Sequence, residues 1–266
     1  MYSVTMPPAI ITLTTDFGNT DTYVAQMKGA ILSINPAATI VDITHEIPPQ
    51  DIRRGAVALG EMWESFPTGS IHVAVVDPGV GTSRRIIVAK CDERLFVLPD
   101  NGLISRVLEA SASSEVVEVQ DRTFWRANVS NTFHGRDILA PVAAHLSLGV
   151  ALSRMGPVAT NLALLNSSSP QFGERQLTGE IINIDRFGNL ITDIGLEHLR
   201  KIPTTEIVVR HRQREVAGVS QTYGQHPGGA LIALVGSRGY LELAIVDGHA
   251  ANEIEASIAD AIVLSW

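Results

Sequence analysis

The sequence has one cysteine, Cys91, among its 266 residues. A single thiol makes no internal disulfide and no thiolate zinc site. Its flank, Ile86-Ile-Val-Ala-Lys-Cys91, reads as a strand end, where a thiol is buried and inert. Lysine is nearly as scarce. Only Lys28, Lys90 and Lys201 occur, so arginine supplies most of the 20 basic residues. Asp and Glu total 28, the net charge is −8, and no Lys/Arg cluster exceeds two residues. A nucleic-acid binder needs a basic face, so nucleic acid is excluded as a partner. No apolar run approaches the roughly 18 residues of a membrane span. The segment Met1-Tyr-Ser-Val-Thr-Met-Pro-Pro8 lacks a basic stretch followed by an apolar one. These absences predict a soluble protein of a reducing compartment, the cytoplasm, with no membrane partner. Charged residues make up only 18% and hydrophobic ones 45%, with a mean hydropathy of +0.17. That balance argues against disorder and for much buried surface, including a subunit interface.

What is present alternates. Ile10–Thr14 is a short β-rich run. Tyr23, Met27, Ala30, Ile31 and Ile34 then follow a helical spacing, which Pro36 ends. Thr39–Ile43 reads as a second strand. Ile52, Ala56, Leu59, Trp63 and Phe66 mark one face of a second helix, and Ile71–Val76 a third strand. Further strand signals lie at 85–90, 94–98 and 115–119, with a helix over about 136–148. Strands alternating with helices predict an α/β domain with a mostly parallel, Rossmann-like sheet covered on both faces. Ligands of such sheets sit at the C-terminal strand ends, which singles out the loops at 15–21, 44–50 and 77–83.

The character changes near residue 157. Prolines, Asn166-Ser-Ser-Ser-Pro170 and little periodicity predict a linker, and domains of 1–160 and 177–266 joined by 161–176. Short β-rich runs follow at 177–184, 205–210, 214–219, 230–235, 240–245 and 261–264, with a helix signal only near 195–200. They predict a small antiparallel β-barrel or sandwich.

Five local patterns carry polar chemistry. Thr14-Thr-Asp-Phe-Gly18 with Asp21 follows a strand and precedes a helix. Asp16 and Asp21 either meet a ligand's hydroxyl or ammonium groups, or make an Asx turn and a helix cap. Asp77 ends a strand before Pro78-Gly-Val-Gly81, and Arg84 stands within pairing reach. A Gly-x-Gly with no third glycine is neither a dinucleotide fingerprint nor a P-loop. Asn131-Thr-Phe-His-Gly-Arg-Asp137 places His134 before a helix, as a base, a water-orienting group or a structural residue. Asp185-Arg-Phe-Gly-Asn189 is a turn between two strand signals, where Phe187 suits stacking on a base and Asn189 suits reading its edge. Gly236-Ser-Arg-Gly-Tyr240 offers Ser237 and Arg238 to a carboxylate or phosphate. The eight histidines never pair at i, i+4, and metal-ligand spacing is absent.

Taken in order, these patterns with His45–Pro49 and Pro99-Asp-Asn-Gly102 span residues 14–240. The chain resembles the S-adenosylmethionine hydrolase (hydroxide adenosyltransferase) family, relatives of the fluorinating and chlorinating enzymes. The resemblance implies an α/β N-terminal domain, a C-terminal β-barrel, and a homotrimer whose sites lie between one subunit's N-terminal domain and its neighbour's C-terminal domain. It implies a metal-free hydrolysis without cofactor, S-adenosylmethionine being the substrate. By the same resemblance Asp16 holds the ribose hydroxyls, Asp21 the methionine end, Phe187 and Asn189 the adenine, and Ser237 and Arg238 the methionine carboxylate. Asp77, Arg84 and His134 match the water-handling triad. Halogenating relatives carry an uncharged residue at Asp77 and a longer insertion near 90–95, a tryptophan at Gln50 and a serine at Tyr23. Two rivals remain at this stage. One is a metal-dependent nucleotidase, whose Thr-Asn-Asp-Asp-Gly resembles Thr14–Gly18 except at Phe17. The other is a non-catalytic adenosyl-ligand-binding protein.

Overall fold

The computed structural model describes residues 9–166, 169–204 and 206–266. Met1–Pro8, the Ser167-Ser168 part of the expected linker and Thr205, the first residue of the strand expected at 205–210, lie outside them. The chain divides into two compact units, one running to Leu165 and the other from Asn166 to Trp266.

The first unit holds β1 (Ile10–Thr15), α1 (Tyr23–Ile34), β2 (Thr39–Thr44), α2 (Ile52–Met62), β3 (Ile71–Val75), β4 (Ile86–Cys91), β5 (Arg94–Pro99), α3 (Ser105–Ala110), β6 (Ser114–Glu118) and α4 (Ala140–Ser147). The sheet order is β2-β1-β3-β5-β4-β6. The first four strands run parallel, while β4 pairs antiparallel with both β5 and β6. The reason is local. Asp92 and Glu93, both at positive φ, make a two-residue connection too short for a parallel crossover.

The central strand β3 is buried along its whole length. Its alternation sends Val73 and Val75 toward α1 and α4, and Ala74 toward α2 and α3. Helix α1 buries Val24, Met27, Ala30 and Ile31. Each large side chain among them contributes about 1.5–3 kcal/mol on leaving water. Helix α2 starts at Asp51, whose carboxylate accepts the Arg54 N–H at 2.9 Å. Cys91 is fully buried, and burial pushes its thiol up to about 11, so it is no nucleophile at neutral pH.

The second unit holds β7 (Gln171–Gly173), β8 (Gln176–Ile184), β9 (Leu190–Gly195), α5 (Leu196–Leu199), β10 (Val208–His211), β11 (Arg214–Ala217), β12 (Leu231–Val235), β13 (Tyr240–Ile245), α6 (Ala250–Glu253) and β14 (Ala261–Ser265). Every strand pair is antiparallel, in the order β11-β10-β14-β8-β9-β13-β12. A bridge from Ser220, just past β11, to Leu234 on β12 nearly closes the barrel. The predicted linker is tied down within each unit. Ala163 and Leu165 donate backbone N–H to Asp100 and Ser105, and β7 pairs with β8.

Candidate functional site

The parallel strands β1 and β3 deliver two loops to one edge of the first unit. A cavity of about 380 Å³ opens there, lined by Asp16, Phe17, Gln50, Asp77, Phe133 and His134 among others. Asp16 is half-buried and fixed by one oxygen, which accepts the Gln50 N–H at 2.8 Å. Gln50 itself sits at φ 67. Phe17 N–H is held by Thr15 Oγ1 at 3.2 Å, and His45 Nδ1 lies 2.9 Å from that same hydroxyl. The turn carrying Asp16 is therefore braced by buried His45.

Asp77 and His134 line this cavity, and Arg84 bridges them. Arg84 binds the Asp77 carboxylate through Nε at 2.9 and 3.0 Å and through Nη2 at 2.6 Å. Nη2 also lies 2.8 Å from His134 Nδ1. The side chains of Asp77 and Arg84 are 4% and 10% exposed, so the pair is shielded from water and salt. Guanidinium only donates, so His134 Nδ1 accepts, and a neutral His134 carries its proton on Nε2. Burial, then the Arg84 charge, lowers the His134 pKa against the opposing pull of Asp77 and Asp137. The ring is accordingly neutral at pH 7.

Gly81 lets the two loops approach. Its φ is +78, and a Cβ there would stand 2.3 Å from the Asn131 carbonyl oxygen. Behind His134, a π-helical turn at Gly135–Leu139 feeds α4. Asp137 is fully buried and binds the Arg136 guanidinium at 2.6 and 2.9 Å and the Ser130 N–H at 2.9 Å. It locks the segment that carries His134.

Asp21 is placed otherwise. It is exposed on the turn before α1 and does not line the cavity. It does not cap α1 either, because Thr22 holds that position without a side-chain cap bond. Phe17, where the nucleotidase pattern has its second Asp, packs its ring against Tyr23 and Phe133. Among the described residues, no group of three or more His, Cys, Asp or Glu is placed to hold a metal ion.

A second cavity, of about 710 Å³, lies wholly in the second unit and gathers Phe187, Asn189, Ser237 and Arg238. Phe187 leaves 74% of itself exposed, as a bare aromatic platform. Tyr223 and Glu242 line the same cavity and carry no motif in the sequence. Glu242 had one legible signal, a carboxylate inside the apolar strand Tyr240–Ile245.

Each cavity thus presents fixed hydrogen-bonding groups to a small ligand, on an α/β unit and a β-barrel unit. Sequence comparison gives that class its family. Residues 11–156 match the SAM hydroxide adenosyltransferase N-terminal domain, and residues 179–263 its C-terminal domain. The chain belongs to the SAM hydroxide adenosyltransferase family. It is similar to a protein of Salinispora tropica named (R)-S-adenosyl-L-methionine hydrolase, at 36% identity over 260 residues, covering 96% of this chain and 97% of that one. A fluorinase of an Actinoplanes species is 30% identical over 219 residues, covering 72% of this chain and 74% of that one. The crystal structure of an uncharacterized conserved protein from Thermotoga maritima superimposes with a TM-score of 0.91 at 36% identity, covering 96% of this chain and 100% of that one.

Proposed function

We propose that this protein hydrolyses S-adenosyl-L-methionine to adenosine and L-methionine. The observation that carries the reading is the Asp77–Arg84–His134 chain, whose Asp77 and His134 line the N-terminal cavity. The name of these relatives, (R)-S-adenosyl-L-methionine hydrolase, supports the substrate and its (R) sulfonium form.

Water attacks ribose C5′ in line. The oxygen–C5′ bond forms, the C5′–S bond breaks with its electrons going to sulfur, and methionine leaves as a neutral thioether. Such a leaving group needs no proton, so no general acid is required. His134 fixes the water by donating from Nε2, Arg84 holds the Asp77 carboxylate in place, and Asp77 is the group that accepts the water's proton. An anion at Asp77 also repels halide. Hydroxide-like oxygen meeting a sulfonium cation neutralises charge, and a site that strips water from both favours that step. Orientation contributes up to about 7–11 kcal/mol in well-aligned cases.

In this reading Asp16 takes the ribose hydroxyls, Asp21 the methionine end, Phe187 and Asn189 the adenine, and Ser237 and Arg238 the methionine carboxylate. The protein is a cytoplasmic homotrimer that uses no cofactor, and one protomer's N-terminal cavity completes its site with a neighbour's C-terminal cavity. The division of groups between two cavities and the bare Phe187 platform support that assembly.

The test is incubation with S-adenosyl-L-methionine of each sulfonium configuration, with and without added halide, followed by chromatography. Adenosine and methionine in equal amounts are expected. A 5′-halo-adenosine as main product, or tight binding with no adenosine after hours, overturns the reading.

A further inference from the structure

The motif Pro99-Asp-Asn-Gly102 lines neither cavity, yet two of its residues reach both ends of the loop that carries Asp77 and Arg84. Strand β3 pairs with β5 only as far as Val73 and Val97. Beyond that point a side chain takes over from the ladder. Asn101 Nδ2 donates to the Val76 carbonyl at 2.9 Å, and Oδ1 accepts the Leu103 N–H at 3.3 Å. A carbonyl only accepts and an N–H only donates, so one orientation of the amide serves both. The Val76 carbonyl shares a planar peptide unit with the Asp77 nitrogen. Holding that plane sets the direction in which Asp77 leaves the strand.

The other end is held by the neighbouring residue. The β4–β5 ladder ends at Ile86 and Pro99. Asp100 extends it by one step, its N–H donating to the Arg85 carbonyl at 2.9 Å. Asp100 Oδ2 also accepts from the Arg85 guanidinium, through Nε at 2.9 Å and through Nη2. Its side chain is only 4% exposed. Buried charges need their hydrogen bonds supplied, and here they are. Asp100 Oδ1 accepts the Ala163 N–H, and Arg85 donates to the Thr160 and Asn161 carbonyls, all at 2.9 Å. The adjacent guanidiniums of Arg84 and Arg85 thus each have their own carboxylate, Asp77 and Asp100, which pins the register of the loop's end.

We propose that Asp100 and Asn101 are positioning residues that clasp both ends of the loop from β3 to β4 and so hold Asp77 and Arg84 against His134. Slack at either end moves the carboxylate relative to the attacking water, and a misplacement of about 1 Å costs on the order of 10²-fold in rate. The inference rests on the proposed reading of Asp77 as the proton acceptor.

The experiment measures adenosine release from S-adenosyl-L-methionine by Asn101 variants of the intact protein, alone and combined with Asp77→Asn. Asn101→Ala should lower kcat by about 10- to 100-fold, with KM within about twofold, because Asn101 touches no cavity and acts on the chemical step. Asn101→Asp keeps the acceptor for Leu103 but sets an oxygen against the Val76 carbonyl, and should lower kcat at least as far. Joined to Asp77→Asn, Asn101→Ala should cost only about twofold more, since the group it positions is already gone. A merely structural residue costs the same factor in both backgrounds. Ser105→Ala is the control. It also removes two hydrogen bonds nearby, to the Gly102 carbonyl at 2.7 Å and from the Leu165 N–H at 2.8 Å. It should lower Tm while leaving kcat unchanged. An unchanged kcat in both Asn101 variants, equal losses in the two backgrounds, or an equal kcat loss in Ser105→Ala overturns the inference. If Asp77→Asn alone still slows adenosine release, the proposed function stands in those cases. No adenosine from the unaltered protein overturns that function and this inference with it.

Discussion

Arg84 has only donors, so its contact with His134 Nδ1 at 2.8 Å settles the tautomer of that ring. A protonated His134 would put an N–H against the guanidinium and break the chain. Burial first, then the Arg84 charge, depresses its pKa. The sign follows directly: a depressed pKa keeps the ring neutral through the ordinary histidine range, and neutrality is lost only as pH falls further. The acid limb of kcat/KM assigned to His134 should therefore lie below 6.5, the ordinary histidine value. A pH–rate profile of adenosine release reads it, and a limb above that value contradicts the arrangement. Asp77 is tested separately. Asp77→Asn removes the charge that Arg84 neutralises and the proposed proton acceptor. Turnover should drop by about 10²–10⁴-fold, the usual contribution of a positioned acid–base group. Titration calorimetry should still show substrate binding. Retained binding with unchanged turnover would remove Asp77 from the mechanism.

Elements set how closely those residues meet. The loop from β3 to β4 carries both Asp77 and Arg84, and Gly81 lets it approach the loop that carries His134. Gly81→Ala meets two obstacles, a positive φ and an overlap with the Asn131 carbonyl, which is backbone and cannot swing aside. A stability loss of about 2–3 kcal/mol is expected, with reduced turnover because His134 moves. Gly69 is the control. Its φ is +84 with nothing within 4 Å of a Cβ, so Gly69→Ala should cost only about 1–2 kcal/mol and leave turnover unchanged. Denaturant melts and initial rates on both variants separate the overlap from the φ strain, and equal effects would count against it. At this scale the sequence was a partial guide. Periodicity marked α1 and α2 because their buried faces recur every three or four residues. It missed α3, six residues long with only Ser105 and Val107 buried, and gave β9 no bounds beyond a strand signal after the Asp185–Asn189 turn, since its six residues are all buried and show no alternation. The antiparallel course of β4 was legible in the two-residue Asp92-Glu93 connection rather than in any strand. Asp77, Arg84 and His134 stood out as a set only through the family resemblance carried by Asp77-Pro-Gly-Val-Gly81 and Phe133-His-Gly-Arg-Asp137. Tyr223 and Glu242 lie on a single 3-10 turn and in an apolar strand, where only folding brings them together with Asn189.

The whole molecule carries its polar groups in two separate sets. One lies on the α/β unit around Asp77, Arg84 and His134, the other on the barrel around Phe187, Asn189, Ser237 and Arg238. In a cyclic trimer with head-to-tail contacts, each site draws its first set from one protomer and its second from the next. The proposed assembly therefore predicts complementation. His134→Ala disables only sites in which its own protomer supplies the α/β set. Phe187→Ala disables only those in which its protomer supplies the barrel set. Each variant alone should be nearly inactive. Denatured together and refolded as an equal mixture, they should recover roughly a quarter of the unaltered activity, because a working site needs the intact half from each kind of protomer at one contact. A protein whose site is built within a single chain shows no recovery, since every chain then carries a defect in its own site. The rates of adenosine release before and after mixing decide between the two, and size-exclusion chromatography with light scattering on the same samples reports whether three chains are present.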